Sequence, residues 1–420
     1  MKIKIEKIIY PGKSLGLSNN KTILTDEGIP GETVEIKPLK EKKNYIEAKT
    51  TKIINPSEFR ITPRCSHYQA CSPYQYIDYK TQVAIKESQL KEIFPNTPII
   101  AIASPQIWGY RNKIKLSVIW ENEARTGLSP KFLGRNTERP LPICDLKSTV
   151  SWPRMYKKAG LAYHAPESRD KFIQIESCCL VSENVNKFLA QFIEIVNKEN
   201  LNFIKEIEVR ESYTTKKLMF TVRPSAKIEN CQSSPYIEET VLGKTFRIGS
   251  ESFFQINVPM LEIALKEMQK SMRLDKKEII ADLYCGIGTF GIALSQFAKE
   301  VIGIESNPNN ISFLKSNLKL NKIENFKLYE GACEKLFPSM LISSIDILIL
   351  DPPRKGLNSM LCQNILLSSI KKIIYLSCNP ATFSRDLKIL SCSYIIKTLF
   401  LFDFFPHTPH IETLAILEKK

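Results

Sequence analysis

Between residues 1 and 60, apolar and polar positions alternate in short runs: Ile3-Lys4-Ile5, Ile23-Leu24, Val34-Glu35-Ile36, Tyr45-Ile46-Glu47-Ala48 and Ile53-Ile54. Turn-forming groups separate them, namely Pro11-Gly12, Asn19-Asn20, Asp26-Glu27-Gly28 and Pro30-Gly31-Glu32. Period-two alternation broken at regular intervals predicts a small β-barrel. In 61–99 a loop holding Cys65, His67, Cys71 and Tyr74 leads into 78–94, where Val83, Ile85, Leu90 and Ile93 predict a linking helix. Residues 100–250 read as a separate α/β piece. Strands are predicted at 114–118, 172–175, 218–222 and 245–248, and 132–170 is an irregular stretch containing Arg135, Arg139, Arg154, Lys157 and Lys158.

From 251 to 420 the apolar runs become continuous, as expected of strands covered on both faces. A helix is predicted at Val258–Met272, then a strand at 278–283, a glycine-rich turn (Tyr284-Cys285-Gly286-Ile287-Gly288-Thr289) and a helix to Lys299. Further strands are predicted at 300–304, 326–329, 345–350 and 373–376, with a helix at 307–319. The last two strands, Tyr394–Phe402 and 413–417, suit an antiparallel hairpin. Strand, glycine turn and helix in succession open a doubly wound α/β sheet, in which ligands bind past the carboxyl ends of the strands. Two reactive side chains lie at such ends: Asp351 in Asp351-Pro352-Pro353-Arg354-Lys355-Gly356-Leu357, and Cys378 in Ser377-Cys378-Asn379-Pro380-Ala381-Thr382.

Charge narrows the partners. The chain carries 59 Lys and Arg against 44 Asp and Glu, a balance of +15 that favours a polyanion. A lysine-rich proteome would give the same balance. Lys37, Lys40, Lys42 and Lys43 form a basic edge on the predicted barrel, and Trp108-Gly109-Tyr110-Arg111-Asn112-Lys113 interleaves aromatic and basic groups as base-stacking surfaces do. Ordinary solvated faces look alike. The opening MKIKIEKIIY lacks an export signal, and no apolar run reaches the ~18 residues a membrane helix needs. A cytoplasmic location is expected, with no membrane association and no obligate protein partner. The eleven scattered cysteines then point to thiolate chemistry or metal ligation rather than a disulfide framework.

Gly286, Gly288 and Gly291 satisfy the spacing of a dinucleotide turn, and Glu305 follows at the distance of a ribose-binding acid. NAD and S-adenosylmethionine fit that pattern equally well. The later motifs separate them. Asp-Pro-Pro-Arg-Lys-Gly-Leu at 351, Ser-Cys-Asn-Pro-Ala-Thr at 377, Phe-Pro-x-Thr-x-His-x-Glu at 405 and Phe-Gln-x-Asn at 254 together resemble the RNA uracil-C5 methyltransferase family. Residues 1–60 resemble its N-terminal TRAM domain, and Tyr110-Arg111-Asn112-Lys113 resembles the opening of its central RNA-binding domain. The resemblance implies a class I methyltransferase sheet over 251–420, S-adenosylmethionine as cofactor and structured RNA, ribosomal or transfer, as partner. It implies Cys378 as covalent nucleophile and Glu412 as general base. Gln255, Tyr284, Thr289, Glu305 and Asp351 would line the cofactor or the adjoining uracil, Thr289 standing where a family member can carry Asn. Cys285 has no Asn-Pro turn beside it and is read as a core or turn residue. The TRAM-like barrel leans the substrate towards 23S ribosomal RNA over the tRNA T-loop. A cytosine-C5 methyltransferase and a non-catalytic RNA-binding protein are the competing classes, disfavoured by the Glu412 motif and by the presence of Cys378, Glu412 and Asp351 together.

The family also includes members with a 4Fe–4S cluster, held by Cys-x5-Cys-x2-Cys and a later cysteine. Cys65 and Cys71 match the first two ligands and Cys178 the last, but Tyr74 occupies the third position. A phenolate lies outside the all-thiolate pattern. Loss of the site, substitution by Cys179, Cys144 or His67, and a zinc site of cysteines and histidine all remain open.

Overall fold

The computed structural model describes residues 1–120, 158–166, 168–228, 231, 233–340 and 345–420. Cys144 and most of the irregular stretch 132–170 lie outside the described residues.

The N-terminal alternation becomes five strands, β1 (Lys2–Ile9), β2 (Lys13–Ser18), β3 (Lys21–Thr25), β4 (Thr33–Glu41) and β5 (Tyr45–Asn55), closed into a barrel in the order β1-β2-β3-β5-β4. Ile3, Ile5, Ile23, Val34, Ile36 and Ala48 fill its interior, as inward positions of a small barrel must. Glu32 is fully buried, and Arg60 clamps it with two bonds, Nε to Oε1 at 2.7 Å and Nη2 to Oε2 at 2.8 Å. This bidentate pair fastens the barrel to the linker.

The linker holds α1 (Tyr68–Cys71) and α2 (Tyr79–Ile93), the latter capped by Asp78, whose Oδ1 accepts from Thr81 N at 3.1 Å. The helix is where its spacing predicts, but its inner face is different. Gln82, Lys86, Gln89 and Leu90 are buried, while Val83, Ile85 and Ile93 are half-buried. Orphan carbonyls explain the inversion, because buried acceptors need donors. Gln82 Nε2 donates to Ile77 O at 2.8 Å and Gln89 Nε2 to Ile8 O at 2.9 Å.

Next come β6 (Ile99–Ile102), β7 (Lys113–Trp120), β8 (Ala159–Ala165), β9 (Ser168–Ile175), α3 (Glu183–Lys198), β10 (Glu206–Glu211) and β11 (Leu218–Arg223). Five of these strands make an antiparallel sheet ordered β11-β10-β7-β8-β9. Val185, Leu189, Phe192 and Val196 of α3 share its apolar core. The hairpin β12 (Tyr236–Val241) and β13 (Lys244–Gly249) packs Ile237, Val241, Phe246 and Ile248 into a core shared with α4 (Val258–Met272).

The remaining elements alternate: β14 (Ile279–Leu283), α5 (Thr289–Leu294), β15 (Glu300–Glu305), α6 (Pro308–Leu320), β16 (Phe326–Glu330), α7 (Cys333–Met340), β17 (Ile347–Leu350), α8 (Ser359–Leu367), β18 (Lys372–Ser377), α9 (Pro380–Leu390), β19 (Tyr394–Phe402) and β20 (Glu412–Lys419). The eight-stranded sheet has the order β16-β15-β14-β17-β18-β20-β19-β6. Strands β16 to β18 are parallel, and β20 inserts antiparallel between β18 and β19. The expected fold class is present: a doubly wound α/β sheet at the C-terminus, a closed barrel at the N-terminus and an α/β piece between. The helix expected to reach Lys299 stops at Leu294, followed by a 3-10 turn over Ser295–Phe297. There the Ser295 hydroxyl donates to Ile292 O at 2.8 Å and competes with the helical pattern. The outermost strand comes from far away in sequence. Ile99–Ile102, at the expected linker boundary, pairs in parallel with Leu399–Phe402 of β19.

Candidate active site

The site forms where β17 and β18 end and β20 begins. The antiparallel ladder pairs Ser377 with Thr413, so its next step sets Cys378 beside Glu412. Cys378 is held between a strand and a helix. Asn379 caps α9, accepting from Ala381 N at 3.2 Å, and its Nδ2 donates to Arg354 O at 3.2 Å. Pro380 at the first helical position suits that start. The 351–357 loop is fixed from beneath by buried Asp386, whose Oδ2 accepts from Leu357 N at 2.7 Å and from Tyr375 Oη at 2.6 Å.

Burial pushes the half-buried Cys378 thiol up to about 11; Glu412 and Asp351 add to that, while the charge and hydrogen bond of Arg354 oppose it. Glu412 is 3% exposed. Burial, then the Asp351 charge, hold its carboxyl well above the usual range, with Arg354 opposing. Burial takes Asp351 to about 7. At neutral pH the thiol is therefore protonated, and the Glu412 carboxyl holds its proton more tightly than an ordinary glutamate does. Two carboxyls and a thiol, with raised proton affinities and one facing cation, are a candidate acid–base and nucleophile cluster. Arg354 is the contributor whose role the motif text does not state. A second is Tyr10, between β1 and β2, whose phenol is raised by burial and senses Arg354, Cys378 and Glu412. The barrel thus reaches the catalytic end of the sheet. No local pattern around Tyr10 signals this, because the approach is made by folding alone.

Near this cluster lies the glycine turn, and Asp282 before it feels the Asp351 charge. Gly286 sits at φ 59°, a conformation that excludes most side chains. A Cβ on Gly291 would lie 2.6 Å from Phe326 and 3.0 Å from Asp282. Glu305 ends β15; its Oε2 accepts from Gly286 N at 2.8 Å, and its Oε1 from Ser306 N at 2.8 Å and Asn307 N at 2.7 Å. Asp282, absent from the sequence reading, is fully buried and accepts from Gly291 N at 2.9 Å through Oδ2, while its Oδ1 is unpartnered. Burial raises it to about 8, and the Asp351 and Glu305 charges add to this. Tyr284 donates through Oη to Glu334 at 2.9 Å, and its own N–H points to Cys333 Sγ at 3.3 Å. Thr289 begins α5 and is buried; Gln255 is 6% exposed, and its carbonyl accepts from Asn112 Nδ2 at 3.1 Å. Glu305, whose carboxylate closes the glycine turn through Gly286 N, stands at the position of a ribose-binding acid. The residues present fit S-adenosylmethionine, the cofactor the resemblance implies. Cys285 is 4% exposed, and burial raises its thiol strongly. It belongs to the turn's packing.

The segment 403–411 before Glu412 is anchored by the N-terminal half. Lys86 Nζ donates to Asp403 Oδ1 at 2.6 Å and to Phe405 O at 3.1 Å, with Lys86 and Asp403 wholly enclosed. Tyr74 N donates to His407 O at 2.9 Å, His407 N to Gln82 Oε1 at 2.8 Å, and Tyr110 Oη to Pro406 O at 3.1 Å. Trp108 stacks on His407 at 3.8 Å, and the Arg64 guanidinium lies over the Trp108 ring at 4.3 Å. The Trp-Gly-Tyr-Arg-Asn segment therefore braces this loop from the inside.

The candidate metal residues gather elsewhere. One ligand atom each of His67, Cys71 and Cys178 lies within 4.8 Å of the others. Cys65 and Cys179 lie close enough to shift each other's proton affinity, and Gln75 Nε2 donates to Cys65 Sγ at 3.4 Å. Tyr74 does not join them. Its ring is 1% exposed and packs with Ile8, Ile29, Tyr76 and Ile77, and its Oη receives a bond from Gln89 Nε2 at 3.4 Å.

Comparisons with known proteins agree in direction. Residues 225–420 match the family model described as tRNA (uracil-5-)-methyltransferase. The chain is 29% identical over 446 residues to an uncharacterized RNA methyltransferase of Caldanaerobacter subterraneus, spanning 99% of this chain and 98% of that relative. It is 27% identical over 449 residues to an uncharacterized RNA methyltransferase of Bacillus cereus, spanning 99% and 96%. Its fold is similar to that of Pyrococcus abyssi tRNA (uracil-54, C5)-methyltransferase, solved with S-adenosyl-L-homocysteine. That likeness has a TM-score of 0.76 at 23% identity and covers 99% of this chain and 100% of the other.

Proposed function

We propose that this chain, whose residues 225–420 match the family model described as tRNA (uracil-5-)-methyltransferase, methylates C5 of a uridine in structured RNA, with S-adenosylmethionine as methyl donor and 23S ribosomal RNA as substrate. The observation that carries the reading is the convergence of Cys378, Glu412, Asp351 and Arg354 at one strand edge, near the glycine turn and its neighbours Asp282 and Glu305. When bound, held by Glu305, Tyr284, Thr289, Gln255 and Asp351, the cofactor supplies an electrophilic methyl group to C5 of the activated ring.

The remaining chemistry belongs to the chain's own residues. Uracil C5 is a poor nucleophile until C6 is occupied. The Cys378 thiol gives up its proton to solvent, its Sγ gives an electron pair to C6, and the C5–C6 π pair moves towards C5 and O4, so C5 becomes nucleophilic. Arg354 favours the thiolate by charge and hydrogen bond. After methylation, the Glu412 carboxylate takes the C5 proton. The C–H pair re-forms the C5–C6 double bond and expels the Cys378 thiolate. A carboxyl with raised proton affinity is the stronger base once ionised. Access of Sγ and the methyl donor to the ring requires an unstacked uridine in a loop or flipped from a helix.

The closed barrel favours ribosomal RNA. A transfer RNA uridine is the second reading, favoured by the full-length fold likeness to the Pyrococcus abyssi tRNA enzyme. Incubation of the protein with labelled S-adenosylmethionine and unmodified 23S rRNA or total tRNA, followed by nucleoside analysis, decides between them. Label in 5-methyluridine from rRNA alone is expected. The same nucleoside from tRNA overturns the substrate choice, and label in 5-methylcytidine alone overturns the reaction.

A further inference from the structure

The turn between β1 and β2 is seated on the loop that leads to Glu412. Gly12, at φ 103°, closes this turn, its N–H donating to Ile9 O at 2.7 Å. A Cβ on Gly12 would lie 2.6 Å from Pro409 Cβ and 3.5 Å from the Tyr74 ring. The barrel backbone therefore meets the 403–411 loop with no room for a side chain between them. Just before the turn, Gln89 of α2 holds Ile8 O at 2.9 Å. Tyr10 stands between these two anchors. Its ring is half-buried and packs against the apolar core that contains Leu357, at the end of the Asp351 loop, and Ile411, next to Glu412. Its hydroxyl has no hydrogen-bond partner among the described residues. A tyrosine whose ring is packed normally gives its hydroxyl a partner. The groups that Tyr10 faces are Arg354, Cys378 and Glu412.

The proposed chemistry leaves one charge without a donor. Addition of Cys378 to C6 sends the C5–C6 pair towards O4, where negative charge gathers. Arg354 already bonds the Cys378 thiol. Asp351 and Glu412, when ionised, repel an oxyanion. We infer that Tyr10, carried in by the barrel, donates its Oη–H to O4 of the target uracil and stabilises the enolate formed there. The inference rests on the uridine reading of the site. No bond forms or breaks at Oη. The phenol keeps its proton, which burial makes harder to remove, so it is a donor throughout the neutral range. When Glu412 takes the C5 proton and the thiolate leaves, the charge leaves O4. A donor placed where charge develops is the arrangement of an oxyanion hole. The catalytic edge is then incomplete without the barrel, whose first turn supplies one of its groups.

The test compares Tyr10→Phe and Tyr10→Leu with the native full chain, using labelled S-adenosylmethionine and whichever of unmodified 23S rRNA and total tRNA the native chain labels. Tyr10→Phe keeps the ring and removes only the hydroxyl. It should lower kcat about 10- to 100-fold, the loss expected for one hydrogen bond to a charged group. The KM for RNA should stay near native, because the bond strengthens only as charge develops. In a Glu412→Gln background, Tyr10→Phe should slow formation of the covalent RNA–protein adduct by the same factor, and its thermal midpoint should stay native. Tyr10→Leu, which also strips packing, should lose at least as much turnover and lower the midpoint. Native turnover in Tyr10→Phe with loss in Tyr10→Leu would make Tyr10 a packing residue and overturn the inference. A raised KM with native kcat in Tyr10→Phe would overturn it too. Those outcomes leave the uridine reading standing, whereas a native chain that labels uridine in neither RNA overturns that reading and this inference together.

Discussion

Lys86 and Asp403 form an ion pair across 317 residues of chain with both side chains at 0% exposure. Desolvating both charges makes such a pair a poor source of net stability, yet breaking it is expensive. Lys86→Met keeps the length of the side chain and removes the cation. Asp403 Oδ1 then loses its partner and Oδ2 already lacks one, while Phe405 O loses one donor and keeps those of Thr408. An uncompensated buried charge of this kind costs about 3–5 kcal/mol. Replacing both partners, as Lys86→Met with Asp403→Leu, removes both desolvation costs and should return most of that loss, to within about 1 kcal/mol of the native chain. Urea unfolding of the native protein, both single variants and the double variant closes the cycle. The expected coupling is about 3 kcal/mol or more. Methyl transfer adds a second readout. Lys86 fixes Asp403 and Phe405 at the start of the loop leading to Glu412, so the single variant should lose turnover at temperatures where it remains folded. A double variant as unstable as Lys86→Met, or a coupling below about 0.5 kcal/mol, would refute the reasoning.

Two further outcomes follow from the catalytic cluster. Glu412→Gln removes the acceptor for the C5 proton, so turnover should fall by about 10²–10⁴ while a covalent RNA–protein adduct accumulates on a denaturing gel; Cys378→Ala in the same background should form none, and an adduct there would reject Cys378 as the nucleophile. Because burial and acidic neighbours hold the Cys378 thiol at about 11, kcat/KM should rise with pH through the neutral range. Arg354 pulls both Cys378 and Glu412 downward, so Arg354→Met should raise both and shift the rising limb to higher pH, with the deficit largest at low pH; an unmoved or acid-shifted limb would count against this electrostatic role.

Local pattern suffices wherever the local environment is uniform. The spacing predicts Val258–Met272 and Tyr394–Phe402 to their ends, and both are present with those ends, because Asn257 caps the first and the second is a long apolar run. The same rule misplaces the inner face of α2. Apolar spacing selects Val83, Ile85, Leu90 and Ile93, of which Leu90 is buried, whereas Gln82, Lys86 and Gln89 also face inward to serve carbonyls and an acid. A lysine inside a helix reads as solvent-facing until Asp403 is known to meet it. Motif text brings Cys378, Asp351 and Glu412 to notice but not Asp282, which lacks a distinctive neighbour, nor Tyr10, which arrives from the barrel. His67 stands in the sequence as one alternative among several, and only the folded chain sets it beside Cys71 and Cys178.

The pairing of Ile99–Ile102 with β19 has a consequence for anyone wishing to excise the catalytic segment. A fragment beginning at residue 225, where the family likeness begins, would carry β19 without its outer neighbour. Leu399 to Phe402 would then present a bare row of N–H and C=O groups at a sheet border, which is an invitation to intermolecular strand pairing. The same cut would strip Asp403 of Lys86. Such a fragment should precipitate or form ordered aggregates, and adding back a peptide spanning α2 and β6 is the rational way to keep it in solution.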